Sequence, residues 1–453
     1  MGRVIGLNRL GPPGLIEARL KIVAYGFVDR DGGSVASASY LLLDELLERG
    51  HTVEFHAIAG FIEAKGLVGR PGFVFAPTSI GLLRGAWRAL EGVVPGRWRG
   101  APNFALAQVS NAIYERSIGR LVRRRHAEEP FDLFLVLGTL PPFGVPGLPC
   151  VAWPQGAPNG EWEAIRGLRA MVLTHGGRLL YLALRMLYAR KQRFARRVCR
   201  RVDLLICGSR WSVENWVRLG VARESCRSLP YPVDLDQFRP EGPGKPDRDV
   251  TTFLWLGRIV PRKRLDLLLD AYALLRLERQ DVRLRIVGRF GYARGLRRLL
   301  DRFGPDDGVS YSASLARDAV PELLRSVDVL IQPSMNEDVG SSVLEALACG
   351  TLAIIGASNG TRDYVSDSSV VFDAYTPESL KLAMARAIET LRTSREACRL
   401  EARSWAERTF SAGKVAEGLE GILRESLRAA ASEARSGGAS GEKRGSDVDG
   451  RAG

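Results

Sequence analysis

The sequence has 453 residues, 45% of them hydrophobic, which is too long for one ordinary core and too apolar for a disordered chain. Its net charge of +14, from 65 Lys and Arg against 51 Asp and Glu, makes anions the expected partners. Six scattered cysteines without a CxxC pair and four scattered histidines argue against a disulfide framework and against a zinc site.

Met1 to Arg19 forms an N-terminal extension (1–19) with no apolar signal segment, and no run approaches the roughly 20 apolar residues of a spanning helix. A cytoplasmic protein is expected, one that meets a membrane only from its surface. Leu20 to Tyr25 reads as a buried strand, Gly26 to Gly33 as a loop, and Val35 to Arg49 as a helix stopped by Gly50. Thr52 to Ile58 follows as a strand, so the first unit is βαβ and its sheet parallel. The stretch from Gly60 to Gly100 carries Arg84, Trp87, Arg88, Arg97, Trp98 and Arg99 among apolar residues. Ser110 to Arg125 is a predicted helix, Phe131 to Leu137 a strand, and Cys150 to Trp153 a short strand leading into Pro154-Gln155-Gly156. A long basic helix is predicted over Arg178 to Arg201, then a strand from Val202 to Cys207.

Residues 20–230 thus form one domain and the proline-containing 231–249 a linker. A second alternation fills 250–410. Its predicted strands are Thr251–Leu256, Arg283–Val287, Val327–Ile331, Leu352–Ile355 and Val370–Phe372. The helices between them are Leu265–Leu275, Arg294–Phe303 and Ser342–Cys349. Thr376–Phe410 and Lys414–Ala431 close the chain as helices, the second within a 411–431 segment expected to return to the first domain. The Gly, Ser and charge of 432–453 predict a disordered tail. The fold class is α/β, with two Rossmann-like doubly wound domains facing across a cleft.

Three motifs carry chemistry. Glu337 and Glu345 flank the start of a helix opened by Gly340, Ser341 and Ser342, where free N–H groups and the helix dipole favour an anion. Eight helical residues span about 12 Å. Two carboxylates at that separation can hold hydroxyls at both ends of a diphosphate-linked molecule, one on the sugar and one on the ribose. Next, Gly257-Arg258 through Lys263-Arg264 joins a strand to a helix, so Arg258 and Lys263 are expected at a diphosphate, stabilising charge on the leaving group. Last, Asp31-Gly32-Gly33-Ser34 makes a tight turn with Ser34 as N-cap, placed to close over donor phosphates. The chain lacks a GxxxxGK[ST] loop and a GxGxxG fingerprint after its first strand, which disfavours P-loop ATPases and ordinary NAD dehydrogenases. Gly288 follows a strand in Gly288-Arg289-Phe290-Gly291 and counts among the donor-contacting glycines. No Ser/His/Asp or Cys/His spacing suggests a hydrolase.

Together these residues resemble the GT-B fold retaining glycosyltransferases of family 4 (glycosyl transferases group 1). Tyr231-Pro232-Val233-Asp234 to Phe238-Arg239-Pro240 is similar to the family's Asn-Gly-Val-Asp-x-x-x-Phe-x-Pro linker. Gly257-Arg258 with Lys263 is similar to its diphosphate-binding Gly-Arg-x4-Lys, and Glu337 to Glu345 to its Glu-x7-Glu. Gly32-Gly33 resembles its N-terminal glycine loop. The resemblance implies a nucleotide-sugar donor in the interdomain cleft, with Arg258 and Lys263 on the diphosphate, Glu337 near the sugar and Glu345 on the ribose. It also implies retention of configuration without a required metal or other cofactor. This chain departs from the family at Arg264, where Gly is usual, and at Asp338-Val339, where Gly-Phe is usual. Gln155 stands near the place of the family's His and is the expected substitute, ahead of His175.

The expected partners are a nucleotide sugar, a glycan, lipid-linked or small-molecule acceptor, and an anionic membrane surface met through Gly81–Arg99 and Arg178–Arg201. No nucleic-acid module is recognisable. Two alternatives stand beside the active transferase: a catalytically impaired nucleotide-sugar-binding scaffold, and a nucleotide-sugar epimerase on the same fold.

Overall fold

The computed structural model describes residues 19–58, 64–78, 115–242 and 249–442. In the first domain, near-continuous apolar runs form inner strands buried on both faces, which is the pattern of a covered parallel sheet. The strands are β1 (Lys21–Gly26), β2 (Thr52–Ile58), β3 (Phe73–Thr78), β4 (Leu133–Gly138), β5 (Cys150–Pro154), β6 (Leu204–Cys207) and β7 (Cys226–Ser228). They pair in the order β3-β2-β1-β4-β5-β6-β7, every pair parallel. The helices are α1 (Ser34–Glu48), α2 (across 115–128), α3 (Pro158–Gly167), α4 (Arg169–Val198) and α5 (Arg210–Leu219).

The second domain repeats the plan. Strands β8 (Thr251–Leu256), β9 (Val282–Val287), β10 (Val309–Ser312), β11 (Val329–Gln332), β12 (Leu352–Gly356) and β13 (Val370–Phe372) pair as β10-β9-β8-β11-β12-β13, again all parallel. Its helices are α6 (Leu265–Glu278), α7 (Val320–Arg325), α8 (Ser341–Ala348) and α9 (Pro377–Phe410), and α10 (Ala412–Glu442) follows. These are two Rossmann-like domains in the GT-B arrangement. In each sheet the strand order reverses once, between β1 and β4 and between β8 and β11. Loops leaving the carboxyl ends of those strands diverge there and open a crevice for a ligand.

The chain crosses between the domains twice, side by side. Val233 N donates to Phe410 O (2.9 Å), and Val233 bridges Ser411. Helix α10 then returns to the first domain. Its Val415, Leu419 and Leu423 are buried in one cluster with Leu42, Leu43 and Leu46 of α1. Polar contacts fasten it: Arg49 donates to Gly413 O (2.8 Å), and Arg227 pairs with Glu425.

Several expectations need correction. The N-cap of α1 is Gly33, with helical backbone already at Ser34. The long basic helix begins earlier, at Arg169, and is broken at Gly177, whose φ of 82° and ψ of 169° only glycine adopts comfortably. Residues Arg294–Arg302 form a 3-10 helix rather than an α-helix. Helical backbone continues through Glu442, past the expected tail boundary at 432, because no proline interrupts it. Strands β3, β7 and β10 and helices α3, α5 and α7 were not anticipated. The segment Gly81–Arg99, most of the N-terminal extension and residues 443–453 lie outside the described residues.

Candidate functional site in the interdomain cleft

A cavity of about 630 Å³ lies between the two switch points. Phe27, beyond β1, and Thr139, beyond β4, line it from the first domain; Arg258, Lys263 and Glu337, beyond β8 and β11, line it from the second. Gln155, the residue after β5, is also on its wall. Loops from five strands of two sheets therefore meet at one ligand-sized space, within the range of small-molecule sites.

Arg258 follows closely on β8 and is exposed to the cavity. Among the described residues no ion pair engages it. The glycine before it has a separate task. A Cβ on Gly288 would lie 1.7 Å from the carbonyl oxygen of Gly257, so the loops after β8 and β9 approach through two glycines. Neither Gly257 nor Gly288 reaches the cavity wall. A 3-10 turn, Pro261–Lys263, then leads into α6, whose N-cap Arg264 has a left-handed backbone (φ 51°, ψ 43°). Glycine suits that conformation best, which explains its use at this place in the motif. Here Arg264 donates instead to Asp266 (3.0 Å).

Glu337 is the most strongly held carboxylate of the cleft. Its Oε2 accepts from Arg262 Nη1 (2.9 Å) and from Lys263 Nζ. Burial pushes its carboxyl upward, but the two cations more than offset that and hold it at about 2. Burial, with Arg262 alongside, keeps the Lys263 ammonium below its ordinary range despite the carboxylate. Among the described residues, no cation pairs with the adjacent Asp338. Burial, with the negative Glu337 nearby, raises its carboxyl to about 6 even though Ser209 and Tyr231 donate toward it. It faces first-domain backbone: a Cβ on Gly208 would lie 2.9 Å from its Oδ2, and one on Gly156 3.0 Å from its Cβ.

The cleft thus brings together Gln155, Arg258, Lys263 and Glu337. It does not bring in the rest of the expected donor set. Gly32 and Gly33 form the turn before α1 but are off the wall, although Phe27 and Val35 on either side of them reach it. Gly340 N donates to Thr361 Oγ1 (2.7 Å), so that N–H is not free for an anion. A Cβ on Gly340 would lie 2.0 Å from Gln332 Oε1. Ser342 Oγ accepts from Gln332, while the buried Ser341 Oγ has no hydrogen-bond partner among the described residues. Glu345 is only 5% exposed, accepts from Arg317 Nη2 (2.7 Å) and is not on the cavity wall. His175 is outside the cavity, its backbone against Gly295. Arg262 and Glu161, both on the cavity wall, were not anticipated. Arg262 sits inside the Gly257–Lys263 motif and its charge was visible there, whereas nothing in the sequence marks Glu161. Among the described residues, no His, Cys, Asp and Glu cluster has the makings of a metal site.

Residues 240–405 match the family model "Glycosyl transferases group 1". Similar curated proteins include a D-inositol 3-phosphate glycosyltransferase of Streptomyces avermitilis, 30% identical over 187 residues covering 38% of this chain and 40% of that one. A GDP-mannose-dependent alpha-(1-6)-phosphatidylinositol dimannoside mannosyltransferase of Mycobacterium tuberculosis is 29% identical over 51% of this chain and 61% of its own. The chain spans about half the length of these relatives. Among solved structures, Anabaena HepE in complex with UDP and glucose superposes with a TM-score of 0.60 at 16% identity, covering 89% of this chain and 99% of that one. WaaG, a glycosyltransferase involved in lipopolysaccharide biosynthesis, gives a TM-score of 0.56 at 19% identity over 88% and 99%. These likenesses establish the fold.

Proposed function

We propose that this protein is a retaining glycosyltransferase of family 4, moving a sugar from a nucleoside diphosphate sugar to an acceptor in the interdomain cleft. One observation carries the reading. At the second-domain switch point a largely buried carboxylate, Glu337, is paired with Lys263 beside Arg258, a cation that no ion pair engages among the described residues, within the segment matched by the family model. A carboxylate is the group to accept hydrogen bonds from sugar hydroxyls, and an unpaired guanidinium is the group to take a diphosphate.

In this proposal the diphosphate lies against Arg258 and draws Lys263 partly from Glu337. The two cations stabilise charge on the departing phosphate, so no metal is required for that step. The leaving phosphate oxygen helps to deprotonate the acceptor on the same face, which retains configuration. Gln155 donates its amide N–H to the sugar or phosphate but cannot exchange a proton. Glu345, which pairs with Arg317 off the cavity wall in this structure, would meet the ribose hydroxyls only once the donor is bound. The loops at Gly32-Gly33, Gly257, Gly288 and Gly340–Ser342 shape the donor pocket through their backbone.

The acceptor we infer is lipid-linked, met at an anionic membrane face on the cytoplasmic side. Helix α4 puts Lys191 and Phe194 on the cavity wall. The same helix exposes Leu179 (85%) and Met186 (74%), with Arg185, Arg190 and Arg193 partly or fully exposed along it. Such an amphipathic basic helix suits a bilayer surface. No helix among the described residues is long and apolar enough to cross one. The mannosyltransferase relative named for phosphatidylinositol dimannoside is in keeping with this acceptor class.

The test is calorimetric titration with UDP, GDP, ADP and dTDP, followed by hydrolysis and transfer assays with the sugar donors of whichever binds. Binding of one nucleotide with turnover supports the proposal. Binding without turnover favours the scaffold reading, to which the non-titrating Gln155 points. Absence of all binding refutes both.

A further inference from the structure

Arg262 sits on the 3-10 turn between β8 and α6 with its side chain 13% exposed. Its guanidinium meets carboxylates from both domains. Nη1 donates to Glu337 Oε2 (2.9 Å), and Nε lies 3.4 Å from Glu161 Oε1 in α3. Glu161 is itself oriented, because the buried Tyr188 of α4 donates its hydroxyl to Glu161 Oε2 (2.8 Å). The main chain adds a tie within the second domain: Met335 N donates to Arg262 O (2.8 Å), so the loop carrying Glu337 is bonded to the same residue. The other polar contacts across this face use neutral donors, such as Trp211 Nε1 to Asn336 Oδ1 (3.1 Å). Among the described residues, Arg262–Glu161 is the ion pair that joins the two cleft walls.

We propose that Arg262 is a positioning residue, an interdomain clamp through which Glu161 sets the placement of Glu337 when the cleft closes. The planar guanidinium suits this task. Its donors point in fixed directions, so a carboxylate that captures one edge dictates what the other edge presents; an ammonium imposes no such relation. With Glu161 engaged at Nε, the guanidinium is fixed in the orientation that presents Nη1 to Glu337 Oε2, beside Lys263. With the domains parted, Nε loses that partner and the guanidinium is free to turn, so the placement of Glu337 is no longer set from the first domain. The inference rests on the cleft being a nucleotide-sugar site only for its catalytic consequence; the clamp itself is a property of the fold.

The test uses the full chain and two conservative substitutions. Glu161→Gln removes the charge but can still accept from Tyr188, and Arg262→Lys keeps the charge but loses the fork. Each is expected to lower kcat for donor turnover at least about tenfold while leaving the nucleotide Kd within about threefold. The double variant is expected to lose no more than the worse single, because both break one device. Small-angle scattering should show a larger radius of gyration for each variant than for wild type. A double-variant loss equal to the product of the singles, or a fall in kcat matched by an equal rise in Kd, would overturn the proposal. If the wild type turns over no donor, the glycosyltransferase reading fails, and the clamp is judged on scattering alone: unchanged dimensions in Glu161→Gln would refute it.

Discussion

Replacing Arg258 by alanine separates ligand binding from folding more cleanly than any other change in the cleft. Lys263 and Arg262 are bonded to Glu337, so removing either leaves a buried carboxylate short of a partner and costs stability as well as affinity. Arg258 is exposed and engages no carboxylate among the described residues, so its truncation strands no charge. A substitution of that kind is expected to change folding stability by no more than about 0.5 kcal/mol. A charge-assisted hydrogen bond to phosphate contributes about 1.5–3 kcal/mol. At about 1.4 kcal/mol per tenfold, Arg258→Ala should weaken nucleotide binding by roughly 10- to 150-fold. Titration calorimetry of wild type and variant, with thermal unfolding measured alongside, reads both quantities. An unchanged Kd would refute the assignment of Arg258 to the diphosphate. A loss of stability comparable to that of Lys263→Ala would refute the claim that it is unpaired.

Other outcomes follow from neighbouring geometry. The folded protein holds the Asp338 proton more tightly than the unfolded chain, from an ordinary 3.8 up to about 6, chiefly through burial. That stabilisation is complete below about pH 4 and is lost as pH rises through about 6, so Asp338→Asn should gain Tm relative to wild type as pH rises from about 4 to about 6 and hold that gain above it; a constant difference across that range would contradict this. Arg317→Ala should cost about 3 kcal/mol in urea denaturation, since it strands the buried Glu345 and removes a guanidinium that lies 4.8 Å from the Phe238 ring. Gly288→Ala should cost at least about 2 kcal/mol and also weaken nucleotide binding, because its Cβ would displace the carbonyl of Gly257 next to Arg258. Vesicles containing anionic lipid should co-sediment the protein at low salt and release it at high salt, and Leu179→Ser with Met186→Ser should reduce that binding; capture unaffected by lipid charge would remove the membrane surface from the proposal.

Much of the plan was legible because buried parallel strands write themselves as short apolar runs. Thr251–Leu256 and Val370–Phe372 were read with the bounds they have in the structure, and Leu352–Ile355 was one residue short. Of the four edge strands, β13 was legible and β3, β7 and β10 were not. Cys226–Ser228 and Val309–Ser312 each bury one residue and leave the rest partly or fully exposed, so no apolar run marks them. In the cleft, the motifs correctly placed Arg258, Lys263 and Glu337 on loops leaving β8 and β11, because those strands are neighbours at the point of reversal. What could not be read was pairing. Spacing along the chain does not say that Lys263 is bonded to Glu337 or Glu345 to Arg317. Glu161 joins the site only through α3 docking against the other domain, a tertiary event without a local signature. Ser34 shows the limit of residue preference at helix ends: the chain turns one residue earlier, and Gly33 takes the cap.

The return of α10 to the first domain has a consequence for synthesis. A ribosome produces β1 through β7 before any of the second domain exists, yet Val415, Leu419 and Leu423 belong to the core that contains Leu42, Leu43 and Leu46. Until residues beyond 411 emerge, the apolar face of α1 lacks this cover. The domain made first is therefore finished last, and the nascent chain must carry an open groove through translation of the whole second sheet. A chaperone that binds apolar grooves has its longest window there, and truncation before Ala412 would leave the second sheet intact while condemning the first.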